Sequence, residues 1–341
     1  MNKKQRFFLI CAGMILVVIF SACSEKMPAQ TQLHMGTVCS INLFSDGNKN
    51  LYDEMFQELV HLENIFSTNL PDSDVSRINR SSGIQPEKVS SRLIYVLETA
   101  CRIAQETDGA FDPSIEPLVR LWGIGSDNPK LPSQQEIEEK LSLVNYKDIQ
   151  IDSKNETVFL PVSGMGIDLG GIAKGYAADC LVKIAKKHKV KSAIFDLGGN
   201  IYVYGKKEDG SVWRVGIKNP LEPSAKPIVR LDLTDKTVVT SGMYERYFDK
   251  DGKRYHHILD AKTGYPVEND VLSVTIISDS SMIADALSTS AFILGEKAGM
   301  ELIALENAEG VFVMKDKTVL TSDGIKNSVL ILSDEYKLLN N

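Results

Sequence analysis

The octet DLGGIAKG at 168–175 constrains this chain more than any other stretch, and its first four letters return at 196–199 ahead of Asn200. Each copy follows an apolar run that ends in aspartate, Gly166-Ile167-Asp168 and Ala193-Ile194-Phe195-Asp196. The spacing between them predicts a helix over 173–188, so the expected layout is strand, glycine turn, helix, strand, glycine turn. Paired glycines permit positive φ and let another group approach where a Cβ would obstruct it. Lys174 at the helix start, with the backbone N–H groups of the first turn, suits an anion. A tight turn beside a packed helix accounts for the same letters equally well. The octet matches neither G-x-G-x-x-G nor G-x-x-x-x-G-K-[ST], so neither a dinucleotide fold nor a P-loop follows from it.

The first 22 residues read as a signal peptide. Lys3, Lys4 and Arg6 precede an apolar run from Phe7 to Phe20 that is short for a membrane span. Ser21-Ala22-Cys23 has the form of a lipobox, with cleavage before Cys23 and lipid on its thiol. Phe20 is less usual than Leu at its position, which leaves cleavage without lipid as the alternative. Residues 23–32, with Pro28, read as a lipidated tether, and 33–335 as one domain, because no linker divides them. The protein is then expected to be exported and anchored to a bacterial membrane, facing the periplasm or the cell exterior. Removing the leader takes three of the 38 basic residues and none of the 45 acidic ones, a net charge of −10. That balance argues against nucleic acid as a partner. Cys39, Cys101 and Cys180 are scattered and form no disulfide framework; Cys101 and Cys180 read as buried small hydrophobes.

Helical spacing covers 51–66, 72–79, 93–106, 133–141, 279–294 and 297–305, and Ser133 with Glu136 forms a capping box. Strands are expected at 33–44, 148–151, 156–160, 192–195, 201–205, 212–217, 228–233, 245–248, 254–259, 271–277 and within 310–330. The mixture lacks strict βα alternation, which indicates an α+β fold with a largely antiparallel sheet.

Three segments carry groups suited to chemistry. Asp285 and Thr289 lie four apart on a predicted helix and share a face, where a carboxylate and a hydroxyl suit a hard cation such as Mg²⁺. The same spacing fits a threonine bonded back to its own helix, although a carboxylate among Ala, Leu, Ile and Phe needs a partner. In TDGAFDPSIEPLVRLWG at 107–123, Phe111 lies between two turns and suits a planar ring, beside the acceptor Asp112; Leu118, Val119 and Trp122 read as core. In the segment 240–266, Asp251-Gly252 turns a hairpin, and His256 and His257 alternate faces, so one of them can enter a site, with Asp260 near enough to orient an imidazole. Met35, in HMGT at 34–37, suits a planar ligand or the core.

Taken in order, HMGT at 34–37, FSTNLPDSDVSRIN at 66–79, DGAFDPSIEPLVRLWG at 108–123, DLGGIAKGYAAD at 168–179, DLGGN at 196–200, TSGMYERYF at 240–248, HHILDAKTGYP at 256–266 and ADALSTSAF at 284–292 resemble the ApbE-type flavin transferase family. The resemblance spans nearly the whole mature chain. It implies a single T-fold-related unit of two related sheet-and-helix halves with FAD in the cleft between them. It further implies Mg²⁺-dependent transfer of FMN from FAD to a threonine or serine hydroxyl of an acceptor flavoprotein, for example a redox-pump subunit, with release of AMP. The implied metal ligands are Asp285, the Thr289 hydroxyl and the Gly171 carbonyl. FAD contacts map to Met35, Ala110, Phe111, Asp112, Asp168, Lys174 and Ile258, and His257 takes the position of a general base or acid. Two rivals share these residues: an FAD pyrophosphatase giving FMN and AMP, and a flavin-binding lipoprotein without turnover. Ala261 stands where some members have Pro, and Lys174 where some have Glu.

Overall fold

The computed structural model describes residues 27–45 and 47–339. Cys23 and the signal peptide lie outside them. Nine strands form the principal sheet: Gln30–His34, Thr37–Leu43, Ser192–Leu197, Asn200–Gly205, Lys236–Gly242, Val271–Ser278, Glu309–Met314, Thr318–Thr321 and Lys337–Leu339. Their order in the sheet is their order in the chain. Every pairing is antiparallel except that of Thr318–Thr321 with Lys337–Leu339. The outermost strands extend beyond 33 and 335 at either end.

The first eight strands fall into two units of the same plan: two strands, helices, two strands. In the first unit the helices that intervene between Thr37–Leu43 and Ser192–Leu197 include Lys49–Phe66, Ser91–Glu106 and Ala173–Lys187. In the second, Ser281–Leu294 and Glu296–Leu305 separate Val271–Ser278 from Glu309–Met314. Alternation along the strands feeds two cores. Val239, Val274 and Ile276 pack on Ala284, Leu287 and Phe292 of the helical layer, while Val238, Leu272 and Ile277 pack on Trp213, Val215 and Leu231 of a three-stranded sheet on the other face.

The two units meet where Ala173–Lys187 crosses Ser281–Leu294. A Cβ built on Gly175 would overlap the carbonyl oxygen of Ser281, so only glycine allows the helices this close. Asp179 caps the second helix from the first, accepting from the Ser281 and Met282 N–H groups at 2.8 and 3.0 Å and from the Ser280 hydroxyl at 3.0 Å.

Several expectations need correction. The strand expected at 33–44 is two strands, split by a turn at Met35 and Gly36, both with positive φ. No strand leads directly into the first DLGG; Gly166 makes a single parallel bridge to Ile115, and a Cβ at Gly166 would collide with the Glu116 carboxylate. The helix Glu116–Trp122 was not foreseen, because Pro113 and Pro117 disguise it and no side chain caps it. The second DLGG turns a hairpin through Gly198 and Gly199, again both at positive φ.

Candidate active site

A cleft of about 780 Å³ opens between the two units, within the usual range for small-molecule sites. Met35, Ala110, Phe111, Asp112, Asp168, Gly171, Lys174, His257, Ile258, Asp285 and Thr289 all border it. The structure thus gathers at one cleft the residues to which the resemblance mapped the metal, FAD and the general base. His34 does not join them; its Nε2 pairs with Gln32 Oε1 at 2.9 Å.

The helix crossing builds one corner. Asp285 is only 3% exposed, within a helix otherwise rich in Ala, Leu, Ile and Phe. Its Oδ2 accepts from Gly175 N–H at 3.0 Å, and its Oδ1 lies 3.6 Å from Lys174 Nζ. Thr289 follows one turn later, and a Cβ on Gly171 would stand 3.5 Å from its hydroxyl oxygen. Asp285, Thr289 and Gly171 therefore border one corner of the cleft. Among the described residues no three His, Cys, Asp or Glu side chains gather as a metal-binding group. A cation here would rest on one carboxylate and neutral oxygens, a donor set that fits a hard ion keeping waters and sharing phosphate ligands.

The glycine turn supplies the next wall. Asp168 Oδ1 accepts from Gly170 N–H at 2.7 Å, and Asp168 N–H is bound by the Pro113 carbonyl at 2.9 Å. Burial raises the pKa of Asp168, opposed by the Gly170 N–H and by Lys174. Lys174 Nζ donates to the Gly170 carbonyl at 2.7 Å. Phe111 lies against the turn: a Cβ on Gly171 would be 3.1 Å from its ring edge. Asp112 has both carboxylate oxygens engaged, with Ser114 N–H at 2.8 Å and its hydroxyl at 2.6 Å, and with Tyr146 N–H at 3.1 Å. Its main work is to hold the loop that presents Ala110 and Phe111.

The two histidines divide as alternation requires. His256 is buried against Phe292, with Nε2 3.0 Å from the Val267 carbonyl. His257 borders the cleft. Its Nδ1 lies 3.3 Å from the Arg246 carbonyl oxygen, which also accepts His257 N–H at 3.1 Å. A proton on Nδ1 leaves the Nε2 lone pair free. Burial, seconded by Arg246, lowers the His257 pKa to about 3, so the ring is neutral at ordinary pH. Asp260 does not orient it. Its carboxylate accepts from Lys262 N–H at 2.8 Å and from the Thr263 hydroxyl at 3.2 Å, closing its own turn; the Arg246 carbonyl takes the role expected of Asp260.

Sequence reasoning missed several residues of this wall. Glu245 borders the cleft and is exposed to it. Desolvation, opposed by Lys174 and reinforced by Asp285, raises its pKa to about 7. Lys218 and Arg246 also line the cleft. Ser241 ties the metal-suited corner to the sheet, its hydroxyl 2.8 Å from Ser288 and 3.4 Å from Thr289. Only the motif TSGMYERYF contained a signal for Ser241 and Glu245; neither shows in spacing. Cys39 and Cys180 are buried and Cys101 half-buried, all three as free thiols whose pKa burial raises.

The chain is 36% identical over 329 residues to the FAD:protein FMN transferase of Treponema pallidum, with 91% of each chain covered. It is 34% identical to an FAD:protein FMN transferase of Klebsiella pneumoniae, covering 90% of this chain and 95% of the relative. Its fold is similar to that of the ApbE protein from Thermotoga maritima, with a TM-score of 0.81, 33% identity, and coverage of 88% and 98%. The flavin transferase ApbE from Vibrio cholerae gives a TM-score of 0.80 at 28% identity, with the same coverage. Matched to the ApbE family along residues 35–313, and folded as these proteins are, the chain belongs to the ApbE family.

Proposed function

We propose that this protein is an FAD:protein FMN transferase that moves FMN from FAD to a threonine or serine hydroxyl of an acceptor flavoprotein and releases AMP. One observation carries the reading: an oxygen-donor corner, an anion-suited glycine turn and a neutral histidine line the same cleft. The similarity to the FAD:protein FMN transferases of T. pallidum and K. pneumoniae supports it.

In the reaction, the acceptor hydroxyl oxygen bonds to the FMN-side phosphorus while the bond from that phosphorus to the oxygen of the AMP phosphate breaks. AMP leaves with the bonding pair. His257 Nε2 takes the hydroxyl proton, its tautomer held by the Arg246 carbonyl. The pyrophosphate charge offsets the field of Arg246 and raises the ring's proton affinity once FAD is bound. Asp285, the Thr289 hydroxyl and the Gly171 carbonyl would hold Mg²⁺, which supplies charge neutralisation at the pyrophosphate. Met35, Ala110, Phe111 and Ile258 give apolar surface for the flavin, and Asp168, Asp112 and Lys174 border the polar part of FAD.

On this reading Cys23 bears the lipid, and the enzyme works outside the cytoplasm on an acceptor at the same membrane. The test is mass spectrometry of an acceptor domain incubated with FAD and Mg²⁺. A gain of one FMN with matching AMP is expected. FMN and AMP released equally without acceptor would make the protein a pyrophosphatase, and no AMP under any condition would make it a flavin-binding protein.

A further inference from the structure

We infer that Lys174 is the resident counter-ion of the Asp285 corner, and that its displacement makes metal binding and FAD binding depend on each other. The inference rests on the transferase reading above.

Asp285 is almost fully buried, and a buried carboxylate needs compensation. Gly175 N–H satisfies Oδ2. Opposite charge comes from Lys174 Nζ, 3.6 Å from Oδ1, the one cation within 4 Å of this carboxylate among the described residues. The same ammonium donates to the Gly170 carbonyl at 2.7 Å, one peptide from the carbonyl assigned to the metal. One positive charge thus bridges the carboxylate and the glycine turn, the two elements on which a divalent cation would sit. Two cations on one buried carboxylate repel each other, so Lys174 has to leave for a metal to enter. Its side chain is 27% exposed and borders the cleft, and its four-carbon stem is flexible.

Where the ammonium goes depends on the substrate. Without FAD it exchanges a carboxylate for water, and the exchange opposes the metal. With FAD it meets a pyrophosphate whose two negative charges balance the charge that a divalent ion adds. Such coupling is reciprocal: FAD strengthens the metal, and the metal strengthens FAD, by the same factor.

The test is titration of Mn²⁺ into the purified protein, read by the paramagnetic signal of free Mn²⁺, with and without FAD. The native protein should bind Mn²⁺ about tenfold more tightly with FAD than without, within the usual span of coupling between sites. Lys174→Met should bind Mn²⁺ without FAD about tenfold more tightly than the native protein, and should lose most of the dependence on FAD. Lys174→Arg keeps the charge and should keep the dependence. The thermal midpoint of metal-free Lys174→Met should fall and recover on adding Mn²⁺. Equal or weaker Mn²⁺ binding by Lys174→Met without FAD, or a fall in midpoint that Mn²⁺ leaves unchanged, overturns the inference. Absence of Mn²⁺ binding by the native protein even with FAD would instead overturn the metal site of the transferase reading.

Discussion

Gly175 and Asp285 join the two halves of the molecule by a single 3.0 Å hydrogen bond from a backbone N–H to a buried carboxylate. The bond forms because the glycine has no Cβ to meet Ser281. Fold and site therefore share one contact. Gly175→Ala forces backbone apart, since the atoms in the way are the Ser281 carbonyl and Met282 Cα. The expected cost is about 1–3 kcal/mol, the usual range for overpacking. Urea denaturation should show it, together with weaker Mn²⁺ binding. A variant equally stable and equally avid for Mn²⁺ would refute the shared contact.

Asp285→Asn keeps the shape of the side chain and removes its charge. The transfer rate should fall by about a hundredfold or more, the scale of losing one preorganised electrostatic contact to a developing charge. Mass spectrometry of the acceptor gives the rate, and circular dichroism confirms the fold. Retention of even a tenth of the activity would exclude the carboxylate as the anchor of the cation.

Below pH 6.5 an unfolded chain protonates the histidine at 257, while the native protein, with the pKa lowered to about 3, does not. The unfolded state then binds more protons, so native stability falls as pH drops from 6.5 toward 3. His256, lowered in the same direction by burial, adds to the slope. His257→Gln should lose less stability than the native protein between pH 6.5 and 4 in urea titrations. Identical slopes would mean that His257 is not held neutral. The same variant should retain FAD binding and lose most of the transfer.

Glu245 has the opposite sign. Its carboxyl is held up to about 7 in the native cleft, against 4.5 unfolded. The native state keeps a proton there that the unfolded chain releases, and that stability is lost as pH rises from 4.5 through 7. An ionised Glu245 repels a pyrophosphate. FAD affinity should therefore weaken about tenfold between pH 6 and 8, following the fraction protonated. Glu245→Gln should flatten the profile in a flavin-fluorescence titration; an unchanged profile would remove Glu245 from the FAD wall.

Much of the site was legible because its chemistry rides on regular elements. The helical period puts Asp285 and Thr289 on one face, and the strand period separates His256 from His257. Glu245, Lys218 and Ser241 escaped because their meeting with Asp285 and Lys174 is purely tertiary. Asp260 misled for a related reason: a nearby aspartate in sequence is as able to close its own turn as to orient a ring. Gly175 reads as a helix letter, whereas its use is close approach to Ser281; Gly198 does both jobs expected of the paired glycines, a turn at positive φ and a close approach to Thr37. The resemblance supplied the two halves, which periodicity alone does not reveal.

The sheet laid down in chain order has one long interruption: Leu43 pairs with Ala193. The hairpin of Gln30–His34 and Thr37–Leu43 cannot find its neighbour until nearly two hundred residues have been delivered, and the helical insertion must condense first or be looped out. Non-local pairing of this kind slows folding. The third strand therefore decides when the first two become safe, and until Ser192–Leu197 docks, the N-terminal hairpin waits as an unclaimed edge.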